Sequence, residues 1–574
     1  MKRREFLGSV AAGTAALGLG GDSDPSFAAN AYRPLPDNRT QALVEAAHFG
    51  RKLPASGSRG LAISTHPLAS QAAVEILKEG GNAVDAACTA ALTQTVVEPH
   101  MTTLTGVFSL QYFDARSGEI SYLNASNNAP ANFPVDQAQL GELGVMLRDG
   151  RGVTVPGFWA GIEAALGRFG TVPGSRVVAP AVQYARHGFS MHPFLWGEIF
   201  VSADKIGVSP EGREIFLPGG TLPKPGATLY QKRAADLLER LGDEGSDYFY
   251  RGGFAKRFSE KVQAAGGWIT PEDFAEYEVI WQEPARSTYR GYDLLVAPDP
   301  DFGGVVFGEI MNMVEQMDIH RLGPAWDSGE TTFKLMQIIA DVGVQNVLDS
   351  YAGTTPSMAE RLSKSRAQQR FQALGNGKPS NLLEVMDGAA VPPPGSNHLT
   401  VVDNDGNMAT VLHSCMSYPW TNGLFVDGIS ICAAGAHYAS GLPQPGKRIN
   451  ARISPHMFLK EGRCVLAGGS PSVSLLENIT QNAINLLDFG MDIEAAVHKP
   501  RFGGNSMSYP GALMVETDMP ESAFQLLQKS GAAVHRVNPW HWGMGSYDSI
   551  ALAPENGMAR ACGDPRRTAM AIAV

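Results

Sequence analysis

The segment that most constrains the fold is a pair of β-branched, apolar runs wrapped around an Asp-Gly turn. Ser396-Asn-His-Leu-Thr-Val-Val-Asp403 leads into Asn404-Asp-Gly-Asn407, and Met408-Ala-Thr-Val-Leu-His-Ser414 follows. Two such runs across Asp-Gly specify an antiparallel hairpin. Pro392-Pro-Pro394 and Gly395 stand directly before it. The mostly polar stretch 365–394 reads as an exposed loop delivering Ser396 to the first position of a strand.

The remaining pattern supplies layers around that hairpin. Gly60–Ser64 reads as a short strand, and Gln71–Glu79 as a helix stopped by Gly80-Gly81. Asn82-Ala-Val-Asp85 opens a second, alanine-rich helix, and 107–124 reads as two strands turning at Arg116-Ser-Gly118. Residues 29–57 look like a polar lead-in. Helical patterns recur across 157–265 and near 330–350. A strand pair is expected around Met457–Phe458 and Cys464–Leu466, then a helix at Leu475–Leu487 and another beginning at Glu494–Val497. Hairpins and helices segregate instead of alternating, which predicts stacked antiparallel sheets with helices outside.

Composition narrows the function classes. With 18% charged residues and a net charge of −11, the chain lacks the basic face that a phosphate backbone needs, so nucleic acid is not an expected partner. Five scattered cysteines with no CxxC or Cys/His pairing read as small buried hydrophobes. No spaced metal-ligand cluster and no glycine-rich nucleotide loop is present, so neither metal nor organic cofactor is expected. Met1-Lys-Arg-Arg4-Glu-Phe-Leu7, an apolar run from Val10 to Leu19 and the small-x-small Ser26-Phe-Ala28 describe a signal peptide over residues 1–28. Its paired arginines are of the twin-arginine type, giving a periplasmic or secreted protein exported folded. No later run is apolar enough to span a bilayer.

A Gly-Ser bond between a loop and a strand has one specific chemical use. If it is cut, Ser396 becomes an N-terminus whose α-amine, with an ordinary pKa of about 7.7–8.0, serves as base for its own hydroxyl. Taken alone, a serine after a proline-rich loop is more often a cap or turn residue.

Several further segments fall in one order and spacing. They are Lys78-Glu-Gly-Gly-Asn-Ala-Val-Asp-Ala-Ala87, Thr154-Val-Pro-Gly157 with Gly161, Pro180-Ala181, Ala185-Arg-His-Gly188, Arg452-Ile-Ser-Pro455, Gly469-Ser-Pro471, Pro500-Arg-Phe502 and Gly563-Asp-Pro-Arg566. Together with the hairpin, over 58–574, they resemble the γ-glutamyltransferase family. The resemblance implies a four-layer αββα N-terminal-nucleophile fold. It also implies self-cleavage into a large chain, 29–395, and a small chain, 396–574, forming a heterodimer that transfers an acyl group from a small-molecule amide.

By the same resemblance, Ser396 stands where the family has its nucleophilic threonine, and Ser414 where a second threonine supports it. Ser472 and Val473 occupy the positions of a Gly-Gly pair whose backbone N–H groups form the oxyanion hole. A β-branched residue is awkward there if φ is positive. The substrate clamp differs more. Ser126 replaces an arginine, Ala451 and Arg452 replace a serine pair, His437 replaces an aspartate and Met416 an asparagine. A serine hydroxyl is a poor substitute for a bidentate Arg–carboxylate contact, while Arg452 offers a relocated charge. His398, on the face of Ser396, is either a positioning group or a packed strand histidine. Trp540-His-Trp-Gly-Met-Gly-Ser546 either walls an acyl pocket or belongs to the core. The expected function is a self-processing amidohydrolase or acyltransferase with an altered pocket, as in the related cephalosporin acylases and oxamate-type amidohydrolases. The alternatives are a true γ-glutamyltransferase or glutathione hydrolase, and an uncut, catalytically silent binding protein.

Overall fold

The computed structural model describes residues 35, 37–134, 145–375, 377–380, 395–435, 443–472, 474–504, 513–553 and 556–574. Two seven-stranded sheets dominate it. In the first, the strands run in the spatial order Met570–Ala573, Leu61–Ser64, Ser396–Val402, Met408–Ser414, Val107–Phe113, Ile120–Ala125 and Ile280–Gln282. The second is ordered Pro54–Gly57, Ala559–Cys562, Ile550–Leu552, Arg463–Gly468, His456–Lys460, Tyr292–Val296 and Ala285–Tyr289. Every pairing within the two sheets is antiparallel.

Three apolar layers explain why the sheets stack. On the Ser396 strand, Leu399 and Val401 point into a core shared with the helices Pro67–Lys78, Ala83–Val97 and Phe158–Phe169. Val402, one residue on, points the other way, into a layer with Met408, Ile63, Leu295, Met457 and Ala467 drawn from both sheets. The second sheet repeats the alternation. Leu295 faces the inter-sheet layer, while Leu294 and Val296 pack on the helices Gly303–Val314, Gly329–Ala352 and Leu475–Leu487. Period-two side chains with both faces covered produce helix, sheet, sheet, helix.

Most sequence expectations match these elements. Asn82 and Asp85 form a reciprocal capping box at the start of Ala83–Val97. The 107–113 and 120–125 strands turn through Gly118 at φ +73°. Two expectations need correction. The lead-in 29–57 contains a helix, Asp37–Glu45, and the edge strand Pro54–Gly57. The stretch read as loop from 365 begins as a helix, Lys364–Ala373, whose cap Ser363 accepts the Arg366 N–H. Its apolar side is thin, with Ala367 buried and Phe371 packing at the margin of the second core, so periodicity alone missed it. Residues 381–394 and 1–28 lie outside the described set. All five cysteines are buried and unbridged.

Leu399 is completely buried between sheet and helices. Leu399→Ala should cost about 2–5 kcal/mol in chemical denaturation of an uncut Ser396→Ala background, because the site cannot collapse onto the lost volume.

Candidate active site

Pairing of the Ser396 and Ser414 strands is in perfect register, with Ser396 directly opposite Ser414. Their hydroxyl oxygens lie 2.8 Å apart. The Ser414 hydroxyl donates to the Gly395 carbonyl, and the Met416 N–H donates to Ser414 Oγ at 2.8 Å. A hydroxyl has one proton to give and two lone pairs to fill. With the Ser414 proton on Gly395 and the Met416 N–H on one lone pair, Ser396 must donate to the other. One side chain therefore accepts the Ser396 proton and polarises the adjacent Gly395 carbonyl.

Gly395 is sterically obligatory. A Cβ there would meet Cys415 Sγ at 2.8 Å, the His100 carbonyl at 3.0 Å and the Ser417 carbonyl at 3.2 Å. Its N–H is held by the Ser417 carbonyl at 2.6 Å.

On the helix side, a polar network pins this strand end. His413 Nε2 donates to Gln94 Oε1 at 2.8 Å, and Thr102 closes on His413 Nδ1 at 2.8 Å. Gln94 donates to Thr65 at 2.6 Å, and Thr65 Oγ1 lies 2.9 Å from Asn397 Oδ1. Burial holds His413 down at about 3, so the ring is neutral and works as a fixed strut.

The turn after the strand Arg463–Gly468 carries the expected oxyanion positions. Ser472 adopts φ +100°, a left-handed conformation for which a non-glycine residue spends about 1–3 kcal/mol. The strain therefore falls on a serine, whose hydroxyl donates to the Gly543 carbonyl at 3.1 Å, while Ser474 donates to the same carbonyl at 2.6 Å. Val473 lies outside the described residues. His398 is fully buried, bonded to Thr410 at 3.2 Å, and lies where a Cβ on Gly469 would approach its Nε2 to 2.3 Å. Its ring therefore fixes how closely the Gly469 turn can approach. The aromatic segment divides: Met544 is core, whereas Trp542 is half-buried with its ring 6.2 Å from Phe194.

The clamp positions separate as well. Ser126 follows the strand Ile120–Ala125, about 14 Å across the sheet from Ser396 at the usual strand spacing. Its hydroxyl donates to Asp301 at 2.8 Å, beside Ser109 at 2.9 Å and Tyr122 at 2.6 Å. That hydroxyl is consumed by structure. Arg452 is buried and brought close to the site, since its neighbours Ala451 and Ile453 pack on Cys415 and Met416. Desolvation lowers its pKa to about 10, and the Glu477 charge opposes the shift. His437 lies outside the described residues. The sequence reading missed Arg567, whose Nη2 donates to the Ser396 carbonyl at 3.3 Å. The Gly-Asp-Pro-Arg motif stops one residue short of it.

Burial pushes Asp301 up to about 6, against the hydrogen bonds it accepts. A carboxyl whose pKa is raised on folding contributes stability below its unfolded value and loses it as pH rises through the folded value. Between pH 4 and 7 wild type should thus lose about 2 kcal/mol relative to Asp301→Asn. Urea midpoints of the two proteins across that range test this, and parallel profiles would exclude it.

Comparison with known proteins gives a consistent result. Residues 69–574 match the family model described as gamma-glutamyltranspeptidase. The acylase ACY 1 proenzyme of Pseudomonas sp. (strain SE83) is 30% identical over 536 residues, covering 89% of this chain and 93% of the relative. The glutathione hydrolase proenzyme of Bacillus subtilis (strain 168) is 28% identical over 561 residues, covering 90% and 92%. In structure, the cephalosporin acylase from Bacillus halodurans superposes with a TM-score of 0.78 at 24% identity, covering 91% of this chain and 97% of that one. The chain belongs to the gamma-glutamyltranspeptidase family of N-terminal-nucleophile hydrolases and acyltransferases.

Proposed function

We propose that the chain cuts itself between Gly395 and Ser396, and that Ser396 then hydrolyses or transfers an acyl group whose anchor differs from that of a γ-glutamyl group. The observation carrying this reading is the Ser396–Ser414–Gly395 hydroxyl chain. In the cut, Ser396 Oγ attacks the Gly395 carbonyl carbon and its proton passes to Ser414. Ser414 returns a proton to the amide nitrogen, which leaves as the α-amine of Ser396, giving an ester on Oγ that water opens to a Gly395 carboxylate. The products are the chains ending at 395 and beginning at 396. In turnover the freed amine takes the Oγ proton, the acyl-enzyme forms, and the amine leaving group departs with that proton. Water or an amine then accepts the acyl group. Ser472 and Val473 are the proposed backbone donors to the oxyanion.

The altered anchor rests on Ser126, whose hydroxyl is already bound to Asp301. The relatives include an acylase, which fits a different acyl group. The glutathione hydrolase relatives support true γ-glutamyl transfer as the second reading, with Arg452 as its carboxylate partner. The basic and apolar N-terminus supports export to the periplasm or beyond. Among the described residues no helix is long and apolar enough to cross a membrane.

Intact mass spectrometry should find two chains in wild type, the smaller starting at Ser396, and one uncut chain in Ser396→Ala. A single chain in both proteins would sink the proposal. Gly395→Ala and Ser414→Ala should each slow the cut at least about 100-fold, through steric displacement and loss of the proton acceptor respectively. The Arg567 charge near Ser396 should hold the catalytic amine below its ordinary pKa of about 7.7–8.0, so the alkaline-rising limb of kcat should have its midpoint under that value. Turnover of a simple acyl anilide faster than a γ-glutamyl anilide would support the altered anchor, and the reverse order the second reading.

A further inference from the structure

The four residues Ser414-Cys-Met-Ser417 close around Gly395, and one of them has no part in the steps above. The Ser414 hydroxyl donates to the Gly395 carbonyl, the Met416 N–H holds Ser414 Oγ at 2.8 Å, and the Ser417 carbonyl accepts the Gly395 N–H at 2.6 Å. Cys415 is the remaining member. Its thiol sulfur lies 3.5 Å from the Gly395 carbonyl oxygen and 3.2 Å from that of Ser417. Both lengths suit a weak S–H···O hydrogen bond, because sulfur is larger than oxygen or nitrogen.

Backbone strain and packing both hold this collar in place. Met416 adopts φ +55°, a left-handed conformation uncommon for any residue but glycine. That single reversal turns the chain leaving the strand Met408–Ser414 back over Gly395. The Cys415 N–H is fixed on the Met101 carbonyl at 3.1 Å. The side chain is buried in one apolar cluster with Cys432, Ala451 and Ile453. It is unbridged, so its proton is available to the two carbonyls. A Cβ on Gly395 would meet the same sulfur at 2.8 Å, so the thiol packs directly on the residue whose carbonyl is attacked.

Attack by Ser396 Oγ turns the Gly395 carbonyl oxygen into an oxyanion. Ser414 must take the Ser396 proton and deliver a proton to the leaving amide nitrogen. A hydroxyl has one proton to give, so while Ser414 serves the nitrogen it cannot serve the oxyanion. Among the described residues, the Cys415 thiol is the other side chain that donates to that oxygen. In the uncut chain the thiol proton is shared between two neutral carbonyls and sits nearer Ser417. Charge on the Gly395 oxygen draws it across, because a hydrogen bond to an ionised acceptor is about twice as strong as a neutral one. An interaction that strengthens as charge develops lowers the barrier instead of stabilising the starting state. We propose that Cys415 is a catalytic residue of the self-cleavage, its thiol hydrogen-bonding the oxyanion that forms on Gly395. This rests on the Ser396 reading above and adds a residue to it. The thiol keeps its proton throughout, so the ester and the two chains formed are unchanged.

The test follows the cut of newly synthesised full-length chain over time by intact mass, in wild type, Cys415→Ala and Cys415→Ser. Cys415→Ala should cut at least about tenfold more slowly, a smaller loss than for an N–H or O–H donor because S–H is a weak one. Cys415→Ser, which restores a donor, should return to within about threefold of wild type. A packing role predicts the opposite order, since serine buries a hydroxyl in an apolar cluster and alanine does not. Rates are divided by the folded fraction that each substitution shows in an uncut Ser396→Ala background, so lost stability does not pass for a lost donor. Cys415→Ala cutting at the wild-type rate, or Cys415→Ser cutting no faster than Cys415→Ala, would overturn the role of Cys415 and leave the Ser396 reading standing. A wild-type chain that never cuts would overturn both.

Discussion

Everything proposed for this site depends on one register: the antiparallel pairing that sets Ser396 opposite Ser414. A slip of one residue would turn Ser396 from the inter-sheet face to the helix face and break the hydroxyl chain to Gly395. Burial on both sides forbids the slip. Leu399 and Val401 are committed to the helix-side core, and Val402 and Met408 to the inter-sheet core. The turn adds a further lock. Asp403 accepts the N–H groups of Asp405 and Asn407 at 3.0 Å each, and its other oxygen accepts the Ala83 N–H at 3.0 Å. The hairpin tip is thus tied to the first turn of the helix Ala83–Val97.

A buried ionic cluster positions the opposite wall. Arg566 pairs with Glu516 at 2.6 Å and with Asp564 at 3.3 Å, and Arg501 pairs with Asp564 at 2.6 Å. Such clusters contribute little net stability, since desolvation offsets the attraction, but they define backbone position sharply. Here they fix residues 564–566 where the strand Leu61–Ser64 ends, so the next side chain, Arg567, reaches the Ser396 carbonyl. Thr568 donates to the Thr65 carbonyl at 2.5 Å and secures the other side of that arginine.

Family membership settles the frame and leaves the chemistry of the acyl anchor to individual side chains. Ser126 is bound to a buried carboxyl that also holds Ser109 and Tyr122. Positive charge beside Ser396 comes from Arg567, whose Nη2 reaches the Ser396 carbonyl.

The sequence by itself determined the hairpin, because β-branched runs around an Asp-Gly turn admit one local solution, while the exact register that pairs Ser396 with Ser414 came from the five-residue connection Asp403–Asn407. It also determined the capped helix at Asn82, the 107–125 hairpin and the helix Leu475–Leu487, all set by interactions a few residues apart. It was silent where the deciding contact is distant in the chain. The Lys364–Ala373 helix packs only its margin, so its pattern was too weak to read. The contacts of His398 with Gly469 and Thr410 come from a distant turn and a partner strand. The positive φ at Ser472 follows from its closure onto Gly543. The approach of Arg567 to the Ser396 carbonyl joins residues 171 positions apart in sequence. Hydrogen bonds and sterics along a few residues encode elements, whereas a site needs side chains from separate elements to be desolvated together, and only tertiary packing does that.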